Sequence, residues 1–320
     1  MSFGLFDEER GQATAVSLAR AALLTDWGGR ALASSSPLFD PLHYNNGTVW
    51  PFVTGWQSLG LYRYHNSTAG FAAMMSVART AFLWGLGANP EVFSGSSFEP
   101  LDTAVPQQFF ATSMLLTPLV RGLLGWEGDV PNRRVGFAPH LPAAWDTLRV
   151  ARLPVGSGRY TARIERTDSS LTTTIERTAG TGVDSLVFDP AVPLGAEVRE
   201  VVVNGRRTAC DARLTGPDVH VACRLRLEPR LEIIVRHSPG YAVLLPVPAP
   251  ERGARSAGLK LIAQRLAGDT LVLSVEGLAG RAYEVVVRTP RGLTRVEAMM
   301  PQTGDAVDGY AALELRLPAK

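Results

Sequence analysis

Up to about residue 125 the apolar positions recur at helical spacing, and beyond it they alternate. Ala13, Val16, Ala19 and Leu23 lie on one helical face, which predicts a first helix stopping at Trp27-Gly28-Gly29. Pro51, followed by Leu59, Leu61 and Tyr62, predicts a second over about 51–64, because proline is pre-set for a first helical turn. Phe71, Met74, Met75, Ala78, Phe82 and Leu83 mark a third, capped by Ser67 or Thr68 and ended by Gly85. Asp102 and Thr103 are expected to open a fourth, the most apolar, with Pro106 near its first turn. Two long aperiodic connections, 28–50 and 85–102, join these helices, and loops of that length are more often functional than idle.

Pro131, Pro139, Pro142 and Pro154 then mark a linker. After it the period falls to two, in Tyr160 to Arg166, Leu171 to Arg177, Val198 to Asn204 and Ala282 to Arg288. Short strands parted by Asp-Ser, Asn-Gly and Pro-Gly turns predict an antiparallel β-sandwich. The run LPVPAPE at 245–251 offers a further boundary. The expected organisation is a multidomain α and β chain, with helices over 1–130, a β-sandwich over 131–250 and an additional β-rich segment over 251–320. A length of 320 residues suits more than one core.

Composition narrows the function classes. Hydrophobic residues make up 46% and charged residues 19%, which takes the chain out of the disordered class. The net charge is +2 and the arginines are scattered without interleaved aromatics, so no nucleic-acid footprint is read. No apolar stretch reaches the length of a membrane span, the longest being broken by Pro118 and Arg121. The start MSFGLFDEERGQ shows no signal-peptide pattern, and a cytoplasmic location is expected. Cys210 and Cys223 fall on neighbouring strands where a cross-strand disulfide is conceivable, although two half-buried thiols are the favoured reading, and they make no zinc site.

The candidate chemistry sits in the two long loops. His43-Tyr44-Asn45-Asn46-Gly47-Thr48-Val49-Trp50-Pro51 supplies aromatic faces, amides and an imidazole at a helix entrance, the groups that recognise a sugar ring and its hydroxyls. The same run reads equally well as a turn, Asn-Asn-Gly favouring left-handed backbone and Trp50-Pro51 starting a core helix. The second loop places Glu91, Glu99 and Asp102 among glycines and prolines. A carboxylate that deprotonates water must be exposed to a cavity by a loop held on both sides, and Glu91 fits best. Asp102 has the plainer alternative of a helix cap, and Glu99 that of a solvated acid.

Together, YNNGTVWP, NPEVFSG and VPQQFFATSMLLTPLVRGLLGW resemble the late barrel of amylo-α-1,6-glucosidase (glycogen debranching enzyme) and related six-hairpin glycoside hydrolases. That family runs close to YHNGTVWP, then AEIFDG, then a Gln-aromatic helix start, in this order. Residues 136–146, GFAPHLPAAWD, are similar to the segment by which such enzymes leave the barrel for a β-sandwich. The resemblance covers roughly residues 20–150 and implies the last hairpins of an (α/α)6 toroid. It makes Glu91 the general base, puts Tyr44, Asn46, Gly47 and Trp50 in the sugar-binding loop, and gives Gln108 to the last active-site helix. Asn45 stands where the family has His, and Ser94 where it has Asp.

The resemblance also implies that the general-acid carboxylate lies outside this chain, in a missing N-terminal part of the barrel expected in the same polypeptide. The implied activity is inverting hydrolysis of α-glycosidic bonds in oligo- or polysaccharides, without metal or organic cofactor. The alternatives are a non-catalytic carbohydrate-binding module, or a six-hairpin hydrolase of another sugar, rhamnosidase-like or mannosylglycerate hydrolase-like.

Overall fold

The computed structural model describes residues 1–318, in two compact units. The first comprises Met1–Gly122, Leu245–Val286 and the chain from Arg295 onward; the second comprises Leu123–Leu244 and Val287–Thr294.

Four α-helices lie in the first unit: α1 (Glu8–Ala19), α2 (Pro51–Arg63), α3 (Ser67–Trp84) and α4 (Phe109–Thr117), the last running into a π-helical turn, Pro118–Leu123. Asp7 caps α1 by accepting from the Arg10 N–H. That helix ends at Ala19 and not at Trp27, because Arg20 turns to extended backbone and the chain folds into two short antiparallel strands, β1 (Leu24–Thr25) and β2 (Gly28–Gly29). Trp27 is therefore a buried core residue and not a helix stop. The α3 cap is Asn66, whose side chain accepts from the Ala69 N–H, and not Ser67 or Thr68. The fourth helix also starts later than expected. Asp102 and Thr103 lie in a turn, and helix begins only at Phe109. Pro106 disfavours helical backbone at the residue before it, and the Gln108 N–H is already bonded to the Asn89 carbonyl.

The second unit holds two large sheets and one short strand, Ala242–Leu244, that belongs to neither. Its strands are β3 (Glu127–Asp129), β4 (Arg134–Phe137), β5 (Thr147–Val155), β6 (Gly158–Arg166), β7 (Ser170–Ala179), β8 (Ser185–Phe188), β9 (Ala191–Val192), β10 (Val198–Val203), β11 (Arg206–Thr208), β12 (Asp211–Thr215), β13 (Asp218–Arg226), β14 (Arg230–His237) and β15 (Ala242–Leu244). One sheet runs β11-β10-β14-β7-β6-β5, all antiparallel. The other runs β12-β13-β8-β4-β3, with β9 beside β13 and one parallel pair, β4 with β8. Burial alternates along β6 and β14, as a strand with one face on a core requires. The inner faces meet through Trp126, Phe137 and Tyr160, with ring centroids 5.4 and 5.7 Å apart. Cys210 and Cys223 form a disulfide, correcting the expectation of two thiols: their Cα atoms, 4.9 Å apart, fall within bridging range.

The remaining strands are β16 (Lys260–Ala267), β17 (Thr270–Leu278), β18 (Ala282–Thr289), β19 (Gly292–Met299) and β20 (Tyr310–Pro318). The sheet β16-β17-β20 belongs to the same compact unit as the helices. Buried polar groups explain the attachment. Asp26 accepts from the Ala257 and Gly258 N–H groups at 2.7 and 3.0 Å and pairs with Lys260. Glu276 accepts from the Ala21 N–H at 2.8 Å and from Arg20 at 3.0 Å. Ile262 joins Ala15, Leu61, Tyr64 and Ala69 in one core cluster, while Asn66 donates to its carbonyl. Among the described residues no helix follows Leu123, and none is long and apolar enough to cross a membrane.

Candidate functional site

The two long loops meet. Val49 and Phe93 exchange both backbone hydrogen bonds, at 2.9 and 2.8 Å, so a two-residue antiparallel bridge sets the first loop against the second. The approach requires glycine at 95, and the first loop's own turn requires it at 47. A Cβ on Gly95 would meet the Gly47 carbonyl oxygen at 2.1 Å, and one on Gly47 would meet the Asp40 carbonyl and the Phe39 ring at 2.6 and 2.7 Å. Gly47, expected in the sugar-binding loop, is thus buried packing between loops.

The bridge brings Tyr44 to Glu91. The Tyr44 hydroxyl donates to Glu91 Oε1 at 2.6 Å, and that bond to a carboxylate, with burial second, raises the Tyr44 phenol to about 12. The Trp50 ring stands edge-on to Tyr44, centroids 4.4 Å apart at 74°. Its Nε1–H is held by Thr48 Oγ1 at 2.9 Å and the Tyr44 carbonyl at 3.0 Å, and Thr48 Oγ1 donates to that same carbonyl at 2.6 Å. Trp50 also serves as the residue before α2, with Pro51 at its start. The run is a turn that starts a core helix, and it also presents two rings beside a carboxylate.

Glu91 lies between two buried anchors. On one side Asn89 is fully buried, its side chain accepting from Thr80 Oγ1 at 2.8 Å and its N–H donating to Thr112 Oγ1 at 3.0 Å. On the other stands the bridge residue Phe93, packed with Trp27, Val49 and Phe98. Trp27 Nε1–H donates to the Ser94 carbonyl at 2.9 Å, and Arg30 Nε–H to the Gly95 carbonyl at 2.7 Å. Arg30 in turn grips Asp308 with both terminal nitrogens, at 2.7 and 2.8 Å, beneath the Phe39 ring.

Gln108 reaches this group only through its backbone N–H on Asn89, two residues before Glu91. Asn46 is half-buried and takes part through its backbone, accepting from the Asp40 N–H at 2.9 Å. Of the other acids, Glu99 is exposed with Arg252 3.6 Å away, and Asp102 is exposed in its turn and caps no helix. Trp27, Arg30, Asn89 and Asp308 are the residues that sequence reading missed. Two of them left a trace, Trp27 as an aromatic beside paired glycines and Asn89 as the first residue of NPEVFSG.

No protein-family model matches the chain, and no curated relative does. Solved structures similar to it include an α-L-rhamnosidase from Dictyoglumus thermophilum, at 12% identity and a TM-score of 0.40 over 58% of this chain and 21% of that one. Another is a GH127 β-L-arabinofuranosidase from Geobacillus stearothermophilus T6, at 9% identity and a TM-score of 0.34 over 98% of this chain and 57% of that one. The chain thus spans about a fifth and a little over half of those proteins.

Proposed function

We propose that this chain carries the general-base half of an inverting glycoside hydrolase, within the last hairpins of an (α/α)6 barrel. The observation that carries the reading is the 2.6 Å bond from Tyr44 to Glu91, which couples a ring-bearing loop to an acid-bearing one. Tyr44 occupies one carboxylate oxygen and fixes its plane, so the other can accept a proton from a water aligned on the anomeric carbon. The Tyr44 and Trp50 rings offer apolar faces to the sugar. The leaving oxygen takes its proton from a carboxylic acid outside these residues, about 6.5 to 9.5 Å from Glu91 as inversion requires. That chemistry needs water and two carboxylates alone.

The missing wall of the barrel is proposed to come from the same polypeptide. Phe82, Leu86, Phe109 and Leu116 are 76%, 96%, 87% and 60% exposed on and beside α3 and α4, the kind of surface a helical layer covers. An open apolar groove of about 700 Å³, lined by Met75, Phe82, Leu83 and Val247, runs along α3.

The test is turnover by the full polypeptide on maltooligosaccharides, branched dextrins and α-rhamnosides. Glu91→Gln keeps shape and removes basicity, so turnover should fall by about 10² to 10⁴ with binding retained, while Glu99→Gln and Asp102→Asn stay active. A dead Glu99 or Asp102 variant beside an active Glu91→Gln overturns the assignment. Sugar binding without hydrolysis by the wild type favours the binding-module reading.

A further inference from the structure

A second cluster lies in the β-sheet unit, and no step of the proposed hydrolysis uses it. Asp218 and His220 are two apart on β13, so their side chains leave the same face. His140 reaches that face from the Pro139-His140-Leu141-Pro142 segment, whose backbone is fixed by the His140 N–H on the Leu123 carbonyl at 2.8 Å. All three are buried, at 8%, 7% and 2% exposure for His140, Asp218 and His220. Each offers a ligand atom, and these atoms lie within 4.8 Å of one another. Asp218 Oδ2 is 3.5 Å from His140 Nε2 and 3.9 Å from His220 Nε2.

A tetrahedral zinc with bonds of about 2.0 to 2.1 Å holds its donors about 3.3 Å apart. The two spacings from Asp218 exceed that by about 0.2 and 0.6 Å, and all three donors would have to draw together by side-chain rotation to close on an ion. His220 also carries the supporting contact that metal-bound imidazoles use. Its Nδ1 lies 3.1 Å from the Asp189 carbonyl and 3.5 Å from Asp189 Oδ1. A carbonyl can only accept, so Nδ1 bears the proton there, and Nε2 is the nitrogen that would face a metal. Asp189 directly follows β8, the neighbour of β13 in the sheet.

We infer that His140, Asp218 and His220 form a three-ligand site for a zinc-class divalent cation. The fourth position is left to a water or a further group. Such a cation ties the segment after β4 to β13, where buried carboxylates and imidazoles would otherwise stabilise one another by charge alone.

The test uses the untagged chain, stripped with chelator and dialysed against micromolar Zn²⁺ or Co²⁺. One equivalent of either should be retained. Cobalt should give the intense visible bands of a four-coordinate nitrogen and oxygen site, and the chelator should lower the thermal unfolding temperature of the β-sheet unit. Asp218→Asn and His220→Gln should each lower metal affinity at least tenfold, as should His140→Gln. Wild type that binds less than a tenth of an equivalent, or whose unfolding ignores both metal and chelator, overturns the site even if the variants fail to fold. Equal binding by folded variants overturns the ligand assignment, and a charge-paired His and Asp cluster is then what remains.

Discussion

Asp308 is a position where a single substitution should loosen the candidate site from far away in sequence. Its carboxylate takes both terminal nitrogens of Arg30 and the Ser34 hydroxyl at 2.6 Å, and the two charged side chains are 1% and 8% exposed. Asp308→Ala leaves a buried guanidinium without its counter-charge, a change that typically costs about 3 to 5 kcal/mol. Arg30 would keep its bonds to the Ala21, Ala22 and Gly95 carbonyls, which partly solvate the charge and place the loss near the lower end. Adding the orphaned Ser34 hydroxyl at about 1 kcal/mol gives a total of about 4 kcal/mol. That is a large share of the 5 to 15 kcal/mol typical of a domain.

The decisive comparison is a double-mutant cycle of Arg30→Met and Asp308→Leu. The double variant buries no charge, so its loss should fall short of the summed single losses by about 2 to 3 kcal/mol. Because two compact units need not unfold together, the readout should be amide hydrogen exchange at Trp27, Arg30, Phe93 and Gly95, with β6 and β7 as internal controls. Additivity within about 0.5 kcal/mol, or a loss under about 1 kcal/mol for Asp308→Ala, would refute the claim that this pair holds the acid loop.

Asp26 should make the first unit acid-sensitive. Burial opposes its charge, but Lys260 and the Ala257 and Gly258 N–H groups win and hold its carboxyl below the ordinary 3.8. A depressed folded value means that its contribution is full above 3.8 and fades as pH falls through the folded value; the stability gap between wild type and Asp26→Asn should therefore narrow in acid, and a gap constant from pH 6 to pH 2.5 would contradict the pairing. Reducing the Cys210–Cys223 disulfide, which spans 13 residues, should lower the stability of the β-sheet unit by about 3 kcal/mol, read as a shift in thermal unfolding with and without dithiothreitol; no shift would show that the bridge constrains little. In the full polypeptide, Tyr44→Phe should lower kcat roughly tenfold with KM little changed, since it frees the carboxylate plane while keeping the ring. A change in KM alone would make Tyr44 a binding residue instead.

The sequence made legible those elements whose cause is local. Pro51 and the apolar spacing around Leu59 place α2, Gly85 ends α3, and period-two runs mark β6, β7 and β10. What it hid depends on partners far along the chain. Nothing near Trp27 says that its indole will donate to a carbonyl 67 residues on, and Arg30 meets its carboxylate only after 278. The late start of α4 had the same origin. Asp102 has the composition of a cap, yet the chain cannot become helical until Gln108 has spent its N–H on Asn89. The disulfide was open in sequence because strand neighbourhood alone does not set a Cα separation. In the candidate site, Tyr44, Trp50 and Glu91 were legible through their motif, while the groups that hold them in place were not.

Those hidden groups explain why the acid at 91, and not those at 99 or 102, suits a task that demands fixed geometry. A general base gains from its pKa only if its oxygen stays within a few tenths of an ångström of the water it activates. Asn89 and Phe93 fix the backbone two residues to either side of Glu91, and Tyr44 fixes the side chain from a third direction. Glu99 shares a tied backbone, but its side chain is exposed beside Arg252 at 3.6 Å, and Asp102 is exposed in its turn. Yet the groups that hold Glu91 and its flanks come from α3 (Thr80), α4 (Thr112) and the loop before α2 (Tyr44 and Val49), all within one compact unit. Glu91 therefore owes its orientation to contacts within that unit alone. On the proposed reading, what the wall adds is the acid and the enclosure of the sugar, so its removal should abolish turnover while leaving the Tyr44 to Glu91 bond intact.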